Sequence, residues 1–117
     1  MKQLPAILIF HSNDEFRSMI KDMLIKYGFF YLLDTASEEI FWELKDKNKQ
    51  HFILVENNLV NTKLAEKLTN SKHGFLILGQ TDEKKTHVLS TLFGVDALMS
   101  FPFPSEKLAK KIIERSY

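Results

Sequence analysis

The 117-residue chain contains no cysteine, which excludes disulfide bonds, thiolate nucleophiles and cysteine-ligated metal or iron–sulfur sites. Glycine is scarce, and its four copies stand isolated at Gly28, Gly74, Gly79 and Gly94. A glycine-rich phosphate-binding loop is therefore excluded too. An excess of charge is also missing, since 16 basic and 15 acidic residues leave a formal net charge of +1. This balance gives no electrostatic reason to expect a nucleic acid or an anionic membrane as a partner.

Long hydrophobic runs are absent as well. The N-terminal stretch MKQLPAILIF is too short to span a membrane and lacks a small-residue cleavage site, so we expect a cytoplasmic protein. The length predicts a single domain, residues 1–117. The four histidines are scattered without ligand spacing, and we expect neither a metal site nor a cofactor.

Short apolar runs alternate with segments of helical spacing. The predicted strands are Ala6–Phe10, Tyr31–Leu33, Phe52–Val55, Phe75–Leu78 and Ala97–Met99. Residues that suit helix N-termini stand between them, namely Ser37, Asn61, Thr81 or Asp82, and Ser105. Five strand–helix repeats predict a doubly wound α/β domain, with a parallel sheet and helices on both faces. Ligands of such sheets bind beyond the carboxyl ends of the strands.

The third predicted strand ends in an acidic residue, Glu56, within the stretch HFILVENNLV. The last helix is preceded by the stretch GVDALMSFPF, residues 94–103. Together with the five repeats, these features resemble the CheY-like receiver domain of two-component response regulators, whose corresponding stretch is G-A-D-D-Y-[IL]-x-K-P-F. The resemblance covers essentially the whole chain. It implies a flavodoxin-like (βα)5 three-layer sandwich with five parallel strands in the order 2-1-3-4-5.

The resemblance also implies a role for each position at the carboxyl edge of the sheet. A working receiver is phosphorylated on an aspartate that ends the third strand, and an acidic pair after the first strand helps to hold Mg²⁺. In this sequence the phosphoacceptor corresponds to Glu56 and the acidic pair to His11 and Ser12. The hydroxyl residue and the lysine that contact the phosphoryl group correspond to Gly79 and Phe101.

Each of these replacements is chemically adverse. His11 and Ser12 remove two carboxylates from the cation site, and Glu56 extends its carboxylate one methylene further than aspartate. Gly79 has no hydroxyl and Phe101 has no charge. The family's aromatic switch residue corresponds to Leu98, so we expect the switch to be absent too. The sequence therefore resembles a degenerate pseudo-receiver that is not an enzyme and binds no metal.

The expected function is phosphorylation-independent protein–protein interaction in a bacterial signalling pathway. The family's partner surface consists of the fourth helix, fifth strand and fifth helix. The candidate residues on it are His87, Met99, Phe101, Phe103, Lys107, Lys110 and Lys111. Whether the domain forms a homodimer through its last helices is left open by the sequence.

Several alternatives remain at this stage. Glu56 either mimics a phosphoaspartate by its charge or accepts hydrogen bonds from loop amides such as those of Asn57 and Asn58. It also stands where a pair with His11 could form. Phe101 either packs inward over the empty pocket or is exposed for binding, and the Phe101–Pro102 bond is expected to be cis.

Two other functions also stay open. The chain could be a phosphorylatable receiver with a non-standard site, in which Asp14 or Glu56 helps to bind metal. It could equally be the regulatory domain of a longer DNA-binding regulator.

Overall fold

Five strands and five helices alternate along the chain in a computed structural model, which describes residues 4–47, 51–70, 74–79 and 83–116, apart from the side chains of residues 47, 83–86 and 95. The strands are β1 (Ala6–Phe10), β2 (Leu32–Thr35), β3 (His51–Glu56), β4 (Phe75–Gly79) and β5 (Leu98–Ser100). The helices are α1 (Asp14–Ile25), α2 (Glu38–Lys47), α3 (Thr62–Asn70), α4 (Glu83–Phe93) and α5 (Ser105–Ser116). Short 3₁₀ turns at Asn57–Leu59 and Val95–Ala97 follow β3 and precede β5.

The strands form one parallel sheet in the order β2-β1-β3-β4-β5, as predicted. The register pairs Phe10 with Val55, Glu56 with Leu78, and Gly79 with Ser100. All strands therefore end at the same edge of the sheet. This is the flavodoxin-like α/β fold, and it gathers the loops that follow β1, β3, β4 and β5.

Hydrophobic side chains pack on both faces of the sheet, because successive residues of a strand point to opposite faces. Ile7 and Ile9 of β1 belong to the core on the side of α1 and α5, while Leu8 and Phe10 belong to the core that contains Phe41 of α2. Residues 51–55 of the central strand are all buried. That burial explains the unbroken apolar run in the sequence.

The helix ends follow from local hydrogen bonds. Asn13, Ser37 and Asn61 each accept a backbone N–H from three residues ahead, at Phe16, Ile40 and Leu64 respectively. The sequence did not single out Asn13 as a cap, but it predicted the other two. Gly28 and Gly94 follow α1 and α4 with positive φ angles of 89° and 84°, which favour glycine.

Some predicted boundaries differ from the structure by one or two residues. β2 spans Leu32–Thr35 and β5 spans Leu98–Ser100, both slightly later than expected. Helix α5 already includes Ser105, because the Leu108 N–H bonds to the carbonyl of Pro104. Thr81 and Asp82, predicted to open α4, lie outside the described residues.

None of the described helices has the length and apolar character that a membrane crossing requires.

Candidate functional site

A single cleft at the carboxyl edge of the sheet is lined by all five chemical positions that the resemblance singled out. Its volume is about 890 Å³. The five predicted residues are His11, Ser12, Glu56, Gly79 and Phe101. The other described residues that line the cleft are Asn13, Glu15, Phe16, Met19, Asn57 and Asn58. Leu98 does not line it and packs against the core on the other face of the sheet.

Glu56 is held by the loop that follows β1. Its Oε1 accepts the backbone N–H of Ser12 at 3.0 Å and the Ser12 hydroxyl at 2.6 Å. The sequence predicted bonds from loop amides such as those of Asn57 and Asn58, whereas the backbone amide that donates here is that of Ser12, on the loop after β1. Burial disfavours the charged form, but the bonds from Ser12, the proximity of His11 and a bond from the Asn58 side chain outweigh it, so the Glu56 pKa lies below its usual value of 4.5. Glu56 is therefore ionised at neutral pH.

His11 lies beside Glu56, as the sequence suggested, with 3.7 Å between its Nδ1 and the Glu56 Oε1. That nitrogen accepts the backbone N–H of Asn13 at 3.0 Å, so it carries no proton in this arrangement. Burial lowers the His11 pKa from 6.5; Glu56 raises it and Arg17 lowers it further, and the net shift is downward. The pair consists of a neutral imidazole and a carboxylate.

Asn57 is the site residue whose role the sequence did not reveal. It follows Glu56 directly and is buried, with 6% of its surface exposed. A Cβ atom added at Gly79 would lie only 2.3 Å from the Asn57 Cγ and 2.4 Å from its Oδ1. The Asn57 carboxamide therefore occupies the space in which a serine or threonine at position 79 would place its side chain. Only the contact across β3 and β4 shows this, since the two residues are distant in sequence.

Phe101 packs inward against aromatic neighbours. Its ring makes edge contacts with Phe16, at 5.3 Å between centroids, and with Phe103, at 5.7 Å. Phe16 in turn stacks on the His11 ring at 4.3 Å. The Phe101–Pro102 peptide is cis, as expected. An aromatic cluster consequently stands at the position where the family's lysine would lie.

The predicted partner surface needs a correction. Met99 and Phe103 were expected on it, but they are only 6% and 7% exposed and belong to the hydrophobic core. Both side chains are buried because they pack in the same hydrophobic cluster as the buried residues of α5, on that face of the sheet. The exposed members are His87, Lys107 and Lys110. Lys111 is half-buried and bonds to Asp96 at 3.3 Å.

The described acidic residues near the cleft do not form a metal-binding group. The described residues contain no cluster of three or more histidine, aspartate or glutamate side chains that could hold a metal ion. Asp14, the candidate metal ligand of the alternative hypothesis, is 87% exposed and pairs with Arg17. Nor does Asp14 line the cleft.

Arg17 organises the loop next to the cleft, and the sequence did not reveal this role. Its guanidinium donates to the Asp34 carboxylate at 2.8 Å, to the His11 carbonyl at 2.7 Å and to the Asp14 carboxylate. Lys21 donates to the other Asp34 oxygen at 2.8 Å. This network joins α1 to β2 and positions the backbone of His11.

Comparisons with known proteins agree with the fold. The crystal structure of ShkA Rec1 in complex with c-di-GMP, a CheY-like receiver domain, superposes with a TM-score of 0.69. The match covers 97% of this chain and 92% of that chain, with 12% sequence identity. At this identity the similarity shows a shared fold. No protein-family model matches the sequence, and no curated protein matches it either.

Proposed function

We propose that this chain is a receiver-like signalling domain that acts by phosphorylation-independent protein–protein interaction and catalyses no phosphoryl transfer. The observation that carries the proposal is the Asn57 side chain, which fills the space of the family's phosphoryl-contacting hydroxyl at position 79. The site is thus repacked around its altered residues. The Asn57 carboxamide leaves no space for a hydroxyl side chain at position 79, so the contact from that residue on which the family's switch depends is missing.

The charges at the site support the same conclusion. Phosphoryl transfer depends on cations that neutralise the transferred group. The described cleft residues include no lysine or arginine, and Glu56 and Glu15 are their only carboxylates. Mg²⁺ gives up its waters reluctantly and needs well-placed oxygen ligands, so one carboxylate at the end of β3 and an exposed one on α1 form a poor site.

The partner surface in this proposal is the outer face of α4, β5 and α5. His87, Lys107 and Lys110 are exposed there. The family resemblance suggests this face, whose exposed charges are mixed, since Glu106 and Glu114 lie on α5 and Asp96 lies just before β5. The pathway in this proposal is a bacterial two-component or related signalling pathway.

A titration followed by amide NMR tests the proposal. The protein is titrated with Mg²⁺ and then with beryllofluoride, which mimics a phosphoryl group. We expect the resonances of Ser12, Glu56, Gly79 and Phe101 to stay in place at millimolar Mg²⁺. The intact mass should also remain unchanged after incubation with acetyl phosphate.

The Glu56→Gln variant provides the matched control, because it keeps the shape of the side chain and removes the charge. Wild type and variant should behave alike in both measurements. Concerted shifts in the wild type that disappear in Glu56→Gln would show a working phosphoacceptor and overturn the proposal.

A further inference from the structure

The cleft at the carboxyl edge carries negative charge that no basic side chain among its described lining residues offsets. Its carboxylates are Glu56 at the floor and the exposed Glu15 on α1. The nearest arginine, Arg17, does not line the cleft and is engaged by Asp34, Asp14 and the His11 carbonyl. His11 does line it, but its Nδ1 accepts the Asn13 N–H and it is neutral in this arrangement.

Glu56 is the central charge of the cleft. Its side chain is 13% exposed, and its Oε1 accepts two hydrogen bonds from Ser12. A carboxylate has about four acceptor sites, so with a further bond from the Asn58 side chain it retains room for about one more donor. An ionised carboxylate that is largely withdrawn from water interacts strongly with a cation that reaches it.

The walls of the cleft favour one kind of cation. Phe16, Met19 and Phe101 form an apolar, largely aromatic side beside the carboxylates. A guanidinium group is planar, weakly hydrated and able to donate to a carboxylate while it lies against aromatic rings. An ammonium group is compact and strongly hydrated, and it uses such a wall less well. The cleft volume of about 890 Å³ is large enough for a whole arginine side chain.

We propose that this cleft binds the guanidinium group of an arginine side chain that a partner protein presents. One terminal N–H group donates to Glu56, Glu15 lies at the rim, and the planar group rests against Phe16 and Phe101. This inference rests on the proposed function, since it assigns part of the partner's chemistry to a site that no longer transfers phosphoryl groups. Phe101 also adjoins β5, so one partner can contact both the cleft and the face of α4, β5 and α5.

The test is an amide NMR titration with four small probes. They are N-acetyl-arginine amide, its uncharged citrulline analogue, its lysine analogue, and free arginine. We expect the capped arginine to cause saturable shifts at Ser12, Asn13, Glu56 and Phe101. The citrulline analogue should bind at least about tenfold more weakly, because it loses the charged hydrogen bond.

The two remaining probes distinguish the chemistry and its source. The lysine analogue should bind more weakly than the capped arginine, since its ammonium gains less from the aromatic wall. Free arginine should also bind more weakly, because its α-ammonium and α-carboxylate offset each other in charge and both must lose water to enter the cleft. Tighter binding of free arginine would contradict a peptide source, and equal binding of the citrulline analogue would overturn the proposal.

Three variants locate the site. Glu56→Gln keeps an acceptor oxygen for Ser12 and should weaken binding of the capped arginine about tenfold or more. Glu15→Gln, at an exposed position, should weaken it about twofold. The control is Glu39→Gln, which removes the same charge at an exposed position on α2 that does not line the cleft and should leave affinity unchanged. Unchanged affinity in both cleft variants, with dispersed amide spectra, would overturn the proposal.

The outcome is separable from that of the proposed function. Absent arginine binding together with absent beryllofluoride shifts would remove this inference and leave the proposed function intact. Beryllofluoride shifts that require Glu56 would instead remove the proposed function, whatever the arginine probes do.

Discussion

The Asn57 carboxamide and the Cα of Gly79 are in such close contact that a Cβ at position 79 would lie 2.3–2.6 Å from three Asn57 side-chain atoms. Asn57 follows β3 and Gly79 ends β4, so the contact joins neighbouring strands at the carboxyl edge. The family's hydroxyl cannot be restored at position 79 without moving Asn57. Glycine is required here because there is no space for a side chain. Its φ angle is not positive, so backbone conformation is not the reason.

Gly79→Ser should accordingly destabilise the protein by about 1–3 kcal/mol, the usual range for adding atoms to a closely packed site. Asn57→Ala in the same chain should relieve the clash, which gives a coupling free energy of about 1 kcal/mol or more in a double-mutant cycle. Urea unfolding of the wild type, the two single variants and the double variant measures this coupling free energy. Gly94→Ala is the control, because its Cβ would meet nothing within 4 Å and its cost arises only from the positive φ angle. Its effect should not depend on residue 57, and a coupling near zero for Gly79→Ser would contradict the clash.

The Ser12 hydroxyl should contribute to the stability of the folded protein and to the acidity of Glu56. Ser12→Ala removes a 2.6 Å hydrogen bond to a carboxylate and keeps the backbone donor. We expect a loss of about 1–2 kcal/mol and a rise in the Glu56 pKa, because one of the bonds that favour the charged form is gone. Urea unfolding and a ¹³C titration of the side-chain carboxylate report the two effects. Ser90→Ala, which removes an exposed bond to the carbonyl of His87, should cost less and leave the Glu56 pKa unchanged. A Glu56 pKa that is equal in Ser12→Ala and wild type would argue against the bond.

Stability should decrease on acidification because of His11. Its pKa in the folded protein lies below the unfolded value of 6.5, so the unfolded chain binds the proton first as the pH falls. The contribution is fully present above pH 6.5 and is lost as the pH falls from there towards the folded pKa, with a slope of at most about 1.4 kcal/mol per pH unit. Urea unfolding at about pH 7.5 and about pH 5.5 measures the difference.

The His11→Asn variant should reduce this pH dependence, since asparagine offers an oxygen to the Asn13 N–H and does not titrate. His87→Gln, at an exposed position on α4, serves as the control and should retain it. If His11→Asn and His87→Gln keep the same slope as the wild type, the acid sensitivity has another origin.

Asp34 and Asp14 both accept hydrogen bonds from Arg17, but they should contribute differently to the stability of the protein. Asp34 is half-buried and accepts bonds from both Arg17 and Lys21, whereas the Asp14 side chain is 87% exposed. Asp34→Asn should cost about 1–3 kcal/mol, because it leaves two basic groups without their partner. Asp14→Asn should cost less than about 0.5 kcal/mol, as is usual for an exposed pair. Thermal or urea unfolding of the two variants gives both losses of stability. Equal losses would show that burial does not decide how much each carboxylate contributes.

Much of the fold could be predicted because its determinants are local. The alternation of apolar runs with helical spacing predicted the parallel sheet, and Ser37 and Asn61 marked two helix starts that the structure confirms. The boundaries of β2 and β5 were less accurate, since both are short strands at the edges of the sheet with weak patterns. The strand order came from the family resemblance, because a periodicity does not say which strands are neighbours.

The candidate site was predicted in its members but not in its arrangement. His11, Ser12, Glu56, Gly79 and Phe101 do line one cleft, as their positions after strands implied. Met99 and Phe103 were wrongly assigned to a surface, because an apolar residue near an interface motif has the same appearance in sequence as a core residue. The contributions of Asn57 and Arg17 were missed, since each depends on contacts with other elements of the fold.

The sequence by itself determined which chemical groups the carboxyl edge contains: it has no cysteine, no lysine at position 101, no hydroxyl at position 79 and a glutamate at position 56. These are properties of composition and spacing, and they do not depend on packing. The tertiary structure alone decided how the groups are used. It placed the Asn57 carboxamide in the space above Gly79, the Ser12 donors on Glu56, and the Phe101 ring against Phe16. Those relationships join residues on different strands and loops, and only the register of the sheet and the packing of α1 bring them within contact distance.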